Sequence, residues 1–190
     1  DFTPYREWMA HCGINDHHVT LAEGTLTGQA FITTDLDDNQ ITAFHPGAMG
    51  ESHQNRVTDA NGVTVGIVSP DGRDGMIEHA AQFAEAEIPF IFDPGQGMPM
   101  FNGEELTAFV EQATWVTLND YESKLLQERT GLSEAQIAER VEALIITRGG
   151  EGSTILTAGT EVQIPVVNAA QTSDPTGCGD AYRAGILFGL

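Results

Sequence analysis

Apolar positions recur along this chain in two rhythms. Residues 4–12, PYREWMAHC, have helical spacing, with Pro4 in the first turn and Gly13 as the stop. GQAFITTDLDDNQITAFHPG, residues 28–47, alternates about a polar turn at Asp35–Asn39 and predicts a β-hairpin. VTVGIVSP (63–70) predicts a buried strand, followed by a helix from about Arg73 to Glu87, and IPFIFDPG (88–95) predicts the next strand. Glu104–Gln112 is helical. ATWVTLN (113–119) is a strand that runs into a helix over Asp120–Arg129. Ser133 and Gln136 have capping-box spacing and open a helix over Ser133–Val141. ALIITRGG (143–150) is a strand, STILT and EVQIPVV form a short β-ribbon, and a last helix starts near Gly177.

From residue 63 onward strands alternate with helices. That order predicts an α/β fold: a mostly parallel sheet covered by helices on both faces, with right-handed crossovers. The hairpin falls outside the alternation and predicts a small second layer or flap. The 190 residues suit one domain, and the 41% hydrophobic content excludes a disordered chain. No apolar run is long enough to span a bilayer. The chain opens on Asp1 and ends inside a helical pattern, which we read as a piece of a longer protein.

Charge narrows the partners. Twenty-eight acids face eight bases, Lys124 being the only lysine, for a net charge of −20. Nucleic acid and anionic membranes are poor partners for such a surface. A salt-rich cytoplasm would screen the self-repulsion, although an ordinary acidic protein fits the same numbers. Cys12 and Cys178 lie far apart in unlike contexts, which points away from a disulfide framework and toward a reducing cytoplasm.

Four polar, glycine-bearing stretches stand at strand ends: DPGQG (93–97), NDYE (119–122), TRGGEG (147–152) and DPTGCGD (174–180). In open α/β sheets ligands collect there, so one shared site is the natural expectation. In the last stretch, Gly177 and Gly179 allow successive amides to converge ahead of a helix, a nest for an anion. The P-loop pattern has no match, and Tyr182 stands where the dinucleotide fingerprint needs Gly or Ala. Asp180 would repel a resting phosphate. That tension eases if a phosphoryl group is in transit to a hydroxyl whose proton Asp180 takes. A capping acid after a glycine turn is the plainer alternative. Asn119 and Glu122 share a helix face and suit a magnesium ion that keeps several waters; a capping box explains them equally well. Thr147, Gly149 and Gly152 could let the backbone approach a nucleotide, or simply form a tight turn.

NDYE, TRGGEG and DPTGCGDAYRAG, in that order, resemble the ribokinase-like (PfkB) family of sugar and nucleoside kinases. The resemblance extends over the whole chain, which looks like the middle and later part of one partial kinase domain, with a lid over about residues 20–47. It implies ATP as phosphoryl donor, with Asp180 as base and Gly177, Cys178 and Gly179 forming the anion hole. It implies nucleotide contacts at Thr147, Gly149 and Gly152, and Mg²⁺ organised by Asn119 and Glu122. It also suggests a K⁺-type ion beside Asp174 and Thr176. The hairpin at 28–45 resembles the family's lid, making Phe31 and Phe44 candidates for acceptor contact or for core, and lids of this family can mediate homodimers. Cys178 stands where Ala is common, and its small side chain should leave the nest intact. DPTGCGDAYRAG, DFTPYREW and AFHPGAM look most like bacterial adenosine kinases, which puts adenosine or a related nucleoside first as acceptor and ribose or another sugar second. A ligand-binding member of the fold without turnover is the remaining alternative, and the intact Asp180 argues against it.

Overall fold

The structure, a computed structural model, describes residues 1–34, 40–168 and 177–190. It forms two compact units, Asp1–Asn61 with Asp71–His79, and Gly62–Pro70 with Ala80–Leu190.

The first unit opens with helix α1, Thr3–His11, which carries Pro4 in its first turn as expected. Gly13 follows it at φ 73°. Strands β1, Gln29–Thr34, and β2, Gln40–His45, make the antiparallel hairpin, with Phe31 opposite Ala43 and Ala30 opposite Phe44. The turn expected at Asp35–Asn39 lies outside the described residues. Two 3₁₀ stretches follow, Gly47–Gln54 and Val57–Asp59, where the sequence pattern gave no element. The first turns of helix α2, Arg73–Glu85, also cluster with this unit, and His79 Nε2 lies 2.9 Å from the Asn55 carbonyl.

The second unit holds a six-stranded sheet. Its strands are β3, Gly66–Val68; β4, Phe90–Phe92; β5, Trp115–Asn119; β6, Ala143–Thr147; β7, Ser153–Thr157; and β8, Thr160–Ile164, in that spatial order. Strands β3 to β6 pair in parallel. The ribbon β7–β8 is not separate: β7 pairs antiparallel with β6 and extends the sheet. Helices α3, Gly103–Gln112, α4, Asp120–Thr130, and α5, Glu134–Ala138, connect the strands, and α6, Cys178–Gly189, follows the ribbon.

Apart from Met76, every buried apolar side chain among the described residues belongs to this second unit. Phe90, Ile91 and Phe92 are fully buried, which explains why β4 reads as an unbroken apolar run. Phe92 stacks on Phe109 of α3 at 4.5 Å, and Phe101 meets the same ring edge-on at 5.0 Å. Strands β3 and β4 are shorter than the runs that predict them, because pairing spans only Gly66–Val68 against Phe90–Phe92. No helix among the described residues is long and apolar enough to cross a membrane.

Candidate active site

The site is built where β6 turns back into β7. Thr147 ends β6 directly beside Asn119, its register partner at the end of β5, and its hydroxyl faces the Leu118 carbonyl at 3.4 Å. The chain then makes one 3₁₀ turn, Gly149–Glu151. Gly152 closes it at φ 92°, and a Cβ there would stand 2.1 Å from the Ile164 carbonyl oxygen. Only glycine can occupy that point, because the turn must pass beneath β8 with a left-handed backbone.

Helix α6 begins opposite this turn. Gly177 caps it at φ 78°, and the first intrahelical bond runs from the Ala181 amide to the Gly177 carbonyl at 2.9 Å. The amides of Cys178, Gly179 and Asp180 therefore have no helical acceptor and open outward from a positive helix end. Thr147, Gly149, Gly152, Cys178 and Gly179 line one cavity of about 420 Å³, with Ile164–Val167 as its apolar wall. Two of the four strand-end stretches, far apart in sequence, thus line one cavity. Asp180 stands on the first turn of α6 with its carboxylate 90% exposed. An exposed carboxylate at a helix N-terminus can accept a proton from a group brought to it.

The NDYE stretch folds as a reciprocal capping box. The Glu122 amide donates to Asn119 Oδ1 and the Asn119 amide to Glu122 Oε2, both at 2.8 Å. This local arrangement accounts for the Asn-x-x-Glu spacing on its own. No group of three or more His, Cys, Asp and Glu among the described residues could hold a metal ion. Asn119 and Glu122 fit only an ion that keeps most of its waters, as magnesium does. Asp174 and Thr176 lie outside the described residues. Phe31 and Phe44 are not brought together. The hairpin register puts them on opposite faces, and Phe44 helps line a separate cavity of about 410 Å³ in the first unit.

Sequence reasoning gave no specific role to three contributors. Asp93, 3% exposed at the end of β4, accepts from Arg183 Nη2 at 2.7 Å, while Arg183 Nε contacts its other oxygen. Tyr182 and Ser153 share a hydrogen bond of 2.7 Å between hydroxyls, which ties α6 to β7. Pro165–Val167 leave β8 and wall the cavity instead of extending the strand. The available signal was charge: Arg183 is one of only eight cationic side chains, placed one turn after Asp180.

The arrangement resembles solved structures along its whole length. A nucleoside kinase of Burkholderia thailandensis in complex with inosine is 51% identical, with a TM-score of 0.96 over 100% of this chain and 62% of that one. The same kinase with ADP-inosine superimposes with a TM-score of 0.94. A nucleoside kinase of Methanocaldococcus jannaschii is 33% identical over 183 residues, covering 96% of this chain and 60% of the relative. Its crystal structure is described as that of an archaeal member of the ribokinase family and superimposes with a TM-score of 0.88, so the fold is ribokinase-like. A ribokinase of Bacillus subtilis is 24% identical over 189 residues, covering 99% of this chain and 59% of that protein. The chain thus spans about three-fifths of the length of the relatives it matches. With the model of the pfkB family of carbohydrate kinases matching residues 2–190, this chain belongs to that family.

Proposed function

We propose that the full-length protein is an ATP-dependent kinase that moves the γ-phosphoryl group to a hydroxyl of a nucleoside. The observation that carries this reading is the convergence of the Thr147–Gly152 turn and the α6 amides on one cavity. The likeness to a kinase solved with inosine and with ADP-inosine supports a nucleoside as acceptor, with inosine joining adenosine as a first choice.

In this mechanism the acceptor hydroxyl lies beside Asp180 and gives its proton to the carboxylate. The acceptor oxygen forms a bond to the γ-phosphorus as the bond to the β,γ-bridging oxygen breaks, and ADP leaves with that electron pair. The amides of Cys178, Gly179 and Asp180 donate to the equatorial oxygens, where charge is spread during transfer. Thr147, Gly149 and Gly152 bring backbone close to the nucleotide. Magnesium, when bound, neutralises phosphate charge, and Asn119 and Glu122 would hold it through water. Asp174 and Thr176 are our candidates for a K⁺-type ion. One partial kinase domain with a hairpin lid, a cytoplasmic location and a lid-mediated homodimer complete the proposal. For the dimer, the support is that Phe31, Ile32, Ile41 and Phe44 all lie exposed on the hairpin, which light scattering can test.

The deciding experiment is ATP consumption by the full-length protein against inosine, adenosine, other nucleosides, ribose and fructose, with magnesium and potassium present. We expect turnover with nucleosides. Faster turnover of a sugar would move the protein to the ribokinase type, which its likeness to the Bacillus subtilis enzyme keeps in view. Nucleoside binding without ATP consumption would make it a non-catalytic member of the fold.

A further inference from the structure

Arg183 lies within the second unit between a buried acid and the exposed carboxylate on α6, and each of its nitrogens has a distinct task. Nη2 donates to Asp93 Oδ1 at 2.7 Å and Nε contacts Oδ2. Nη1 lies 3.9 Å from Asp180 Oδ1. Asp93 is in turn held by the Ser69 hydroxyl, which donates to Oδ2 at 3.2 Å. The side chain of Arg183 is 19% exposed and that of Asp93 4%. A planar guanidinium held along its Nε–Nη2 edge by both oxygens of one carboxylate cannot swing as a lysine would.

Gly179 makes room for this clamp. A Cβ at position 179 would stand 2.6 Å from Arg183 Nη1. Residue 179 lies inside α6 and needs no left-handed backbone, so its hydrogen serves space alone. The guanidinium passes across the first turn of the helix where any larger residue would have a side chain.

The neighbouring residue supplies a second anchor. Tyr182 reaches Ser153 at the start of β7, while Arg183 reaches Asp93 at the end of β4. Two adjacent helix positions point about 100° apart. Fastened to two different strands, they fix the roll of α6 about its own axis. Roll is the motion that would carry Asp180 and the open amides away from the reacting atoms. A buried ion pair is weak as a source of stability, since apolar replacements often serve as well, but it does hold a geometry.

We infer that Arg183, clamped by Asp93, is a positioning residue that sets the first turn of α6, and with it Asp180 and the amides of Cys178 and Gly179, for phosphoryl transfer. The assignment rests on the kinase reading above for its catalytic consequence. Its geometric content stands apart from turnover.

The test uses the full-length protein with Arg183→Gln, Arg183→Lys, Asp93→Asn, Gly179→Ala and the Asp93→Asn/Arg183→Gln double variant. Each single change should lower kcat by about 10- to 100-fold, the scale of an ångström-sized misplacement, while the acceptor KM stays within about threefold. The double variant should be no worse than the poorer single one, because both break the same clamp. Arg183→Lys keeps the charge and should recover only part of kcat. Gly179→Ala keeps both partners and should show the same kcat loss even if an Arg183 variant fails to fold. In parallel, with Cys12 and any other cysteine outside α6 changed to Ser, Cys178 should react with a thiol reagent at a rate altered by about fivefold or more on Arg183→Gln, since thiolate reactivity follows the local field and exposure. Unchanged kcat in Arg183→Gln, additive losses, or a kcat loss matched by an equal loss of folded protein would overturn the assignment. If the wild type consumes no ATP, the kinase reading fails, and the Cys178 rate alone then decides whether the clamp sets the helix.

Discussion

In the proposed mechanism Asp180 is the side chain on which the chemistry turns, and its 90% exposure leaves it open to an acceptor hydroxyl. Replacing it with Asn keeps size and helix position but removes the proton acceptor. Turnover by the full-length protein should fall by about 10²- to 10⁴-fold, with ADP affinity within a few-fold of wild type by calorimetry. Retained turnover would take the role from Asp180. Asp93 carries a different prediction. Burial pushes its carboxyl above the ordinary 3.8; Arg183 and Ser69 pull it down, while Glu122 adds to the rise. A carboxyl with a raised folded pKa holds its proton more tightly when folded. Its contribution is therefore full below 3.8 and is lost as pH rises through the folded value. Urea unfolding of the Asp93→Asn variant should show a flatter dependence of stability on pH across that acid window. An unchanged slope would mean that Asp93 does not titrate there.

At the scale of elements, α4 opens on a motif with an observed structural role and a proposed catalytic one. The Asn119–Glu122 box satisfies the first amides of the helix, and the same residues are the candidates for magnesium. Glu122→Gln separates the two roles. Gln at this position still completes a capping box, so the melting temperature should hold within about 2 °C, while the magnesium requirement for turnover should rise severalfold. Asn119→Ala should instead cost about 1 kcal/mol of stability through the lost cap. If Glu122→Gln leaves the magnesium response untouched, the pair is structural only. The hairpin teaches the opposite lesson. Its existence was legible in the alternation of residues 28–47, yet pairing Phe31 with Ala43 and Ala30 with Phe44 puts the two phenylalanines on opposite faces. A single ligand lying on one face of the hairpin meets one of them, not both.

For the whole molecule, net charge dominates. With −20 spread over 190 residues, the compact state repels itself, and added salt shortens the range of that repulsion from about 10 Å at 0.1 M to about 3 Å at 1 M. Melting temperature should therefore rise between about 0.1 and 1 M KCl in a calorimetric scan. A flat or falling trend would show that the acids are compensated locally. The sheet order also matters at this scale. The described strands run in sequence from β3 to β8, so no reversal of order marks a ligand crevice. The cavity arises where parallel pairing gives way to antiparallel at β6 and β7, beneath α6.

Sequence by itself determined the elements whose causes are local. The Ser133–Gln136 box, the Pro4 and Gly13 punctuation of α1, the alternation of the hairpin and the αL glycine before α6 are short-range facts of backbone and side chain. The 3₁₀ stretches at Gly47–Gln54 and Gly95–Met100 carry no such periodicity and went unseen. What only the tertiary structure decided was which distant groups meet. The Asp93–Arg183 pair joins residues 90 positions apart, and the Ile164 carbonyl forbids a side chain at Gly152. Neither is written in spacing or composition, because each depends on where separate strands come to rest once the core has packed.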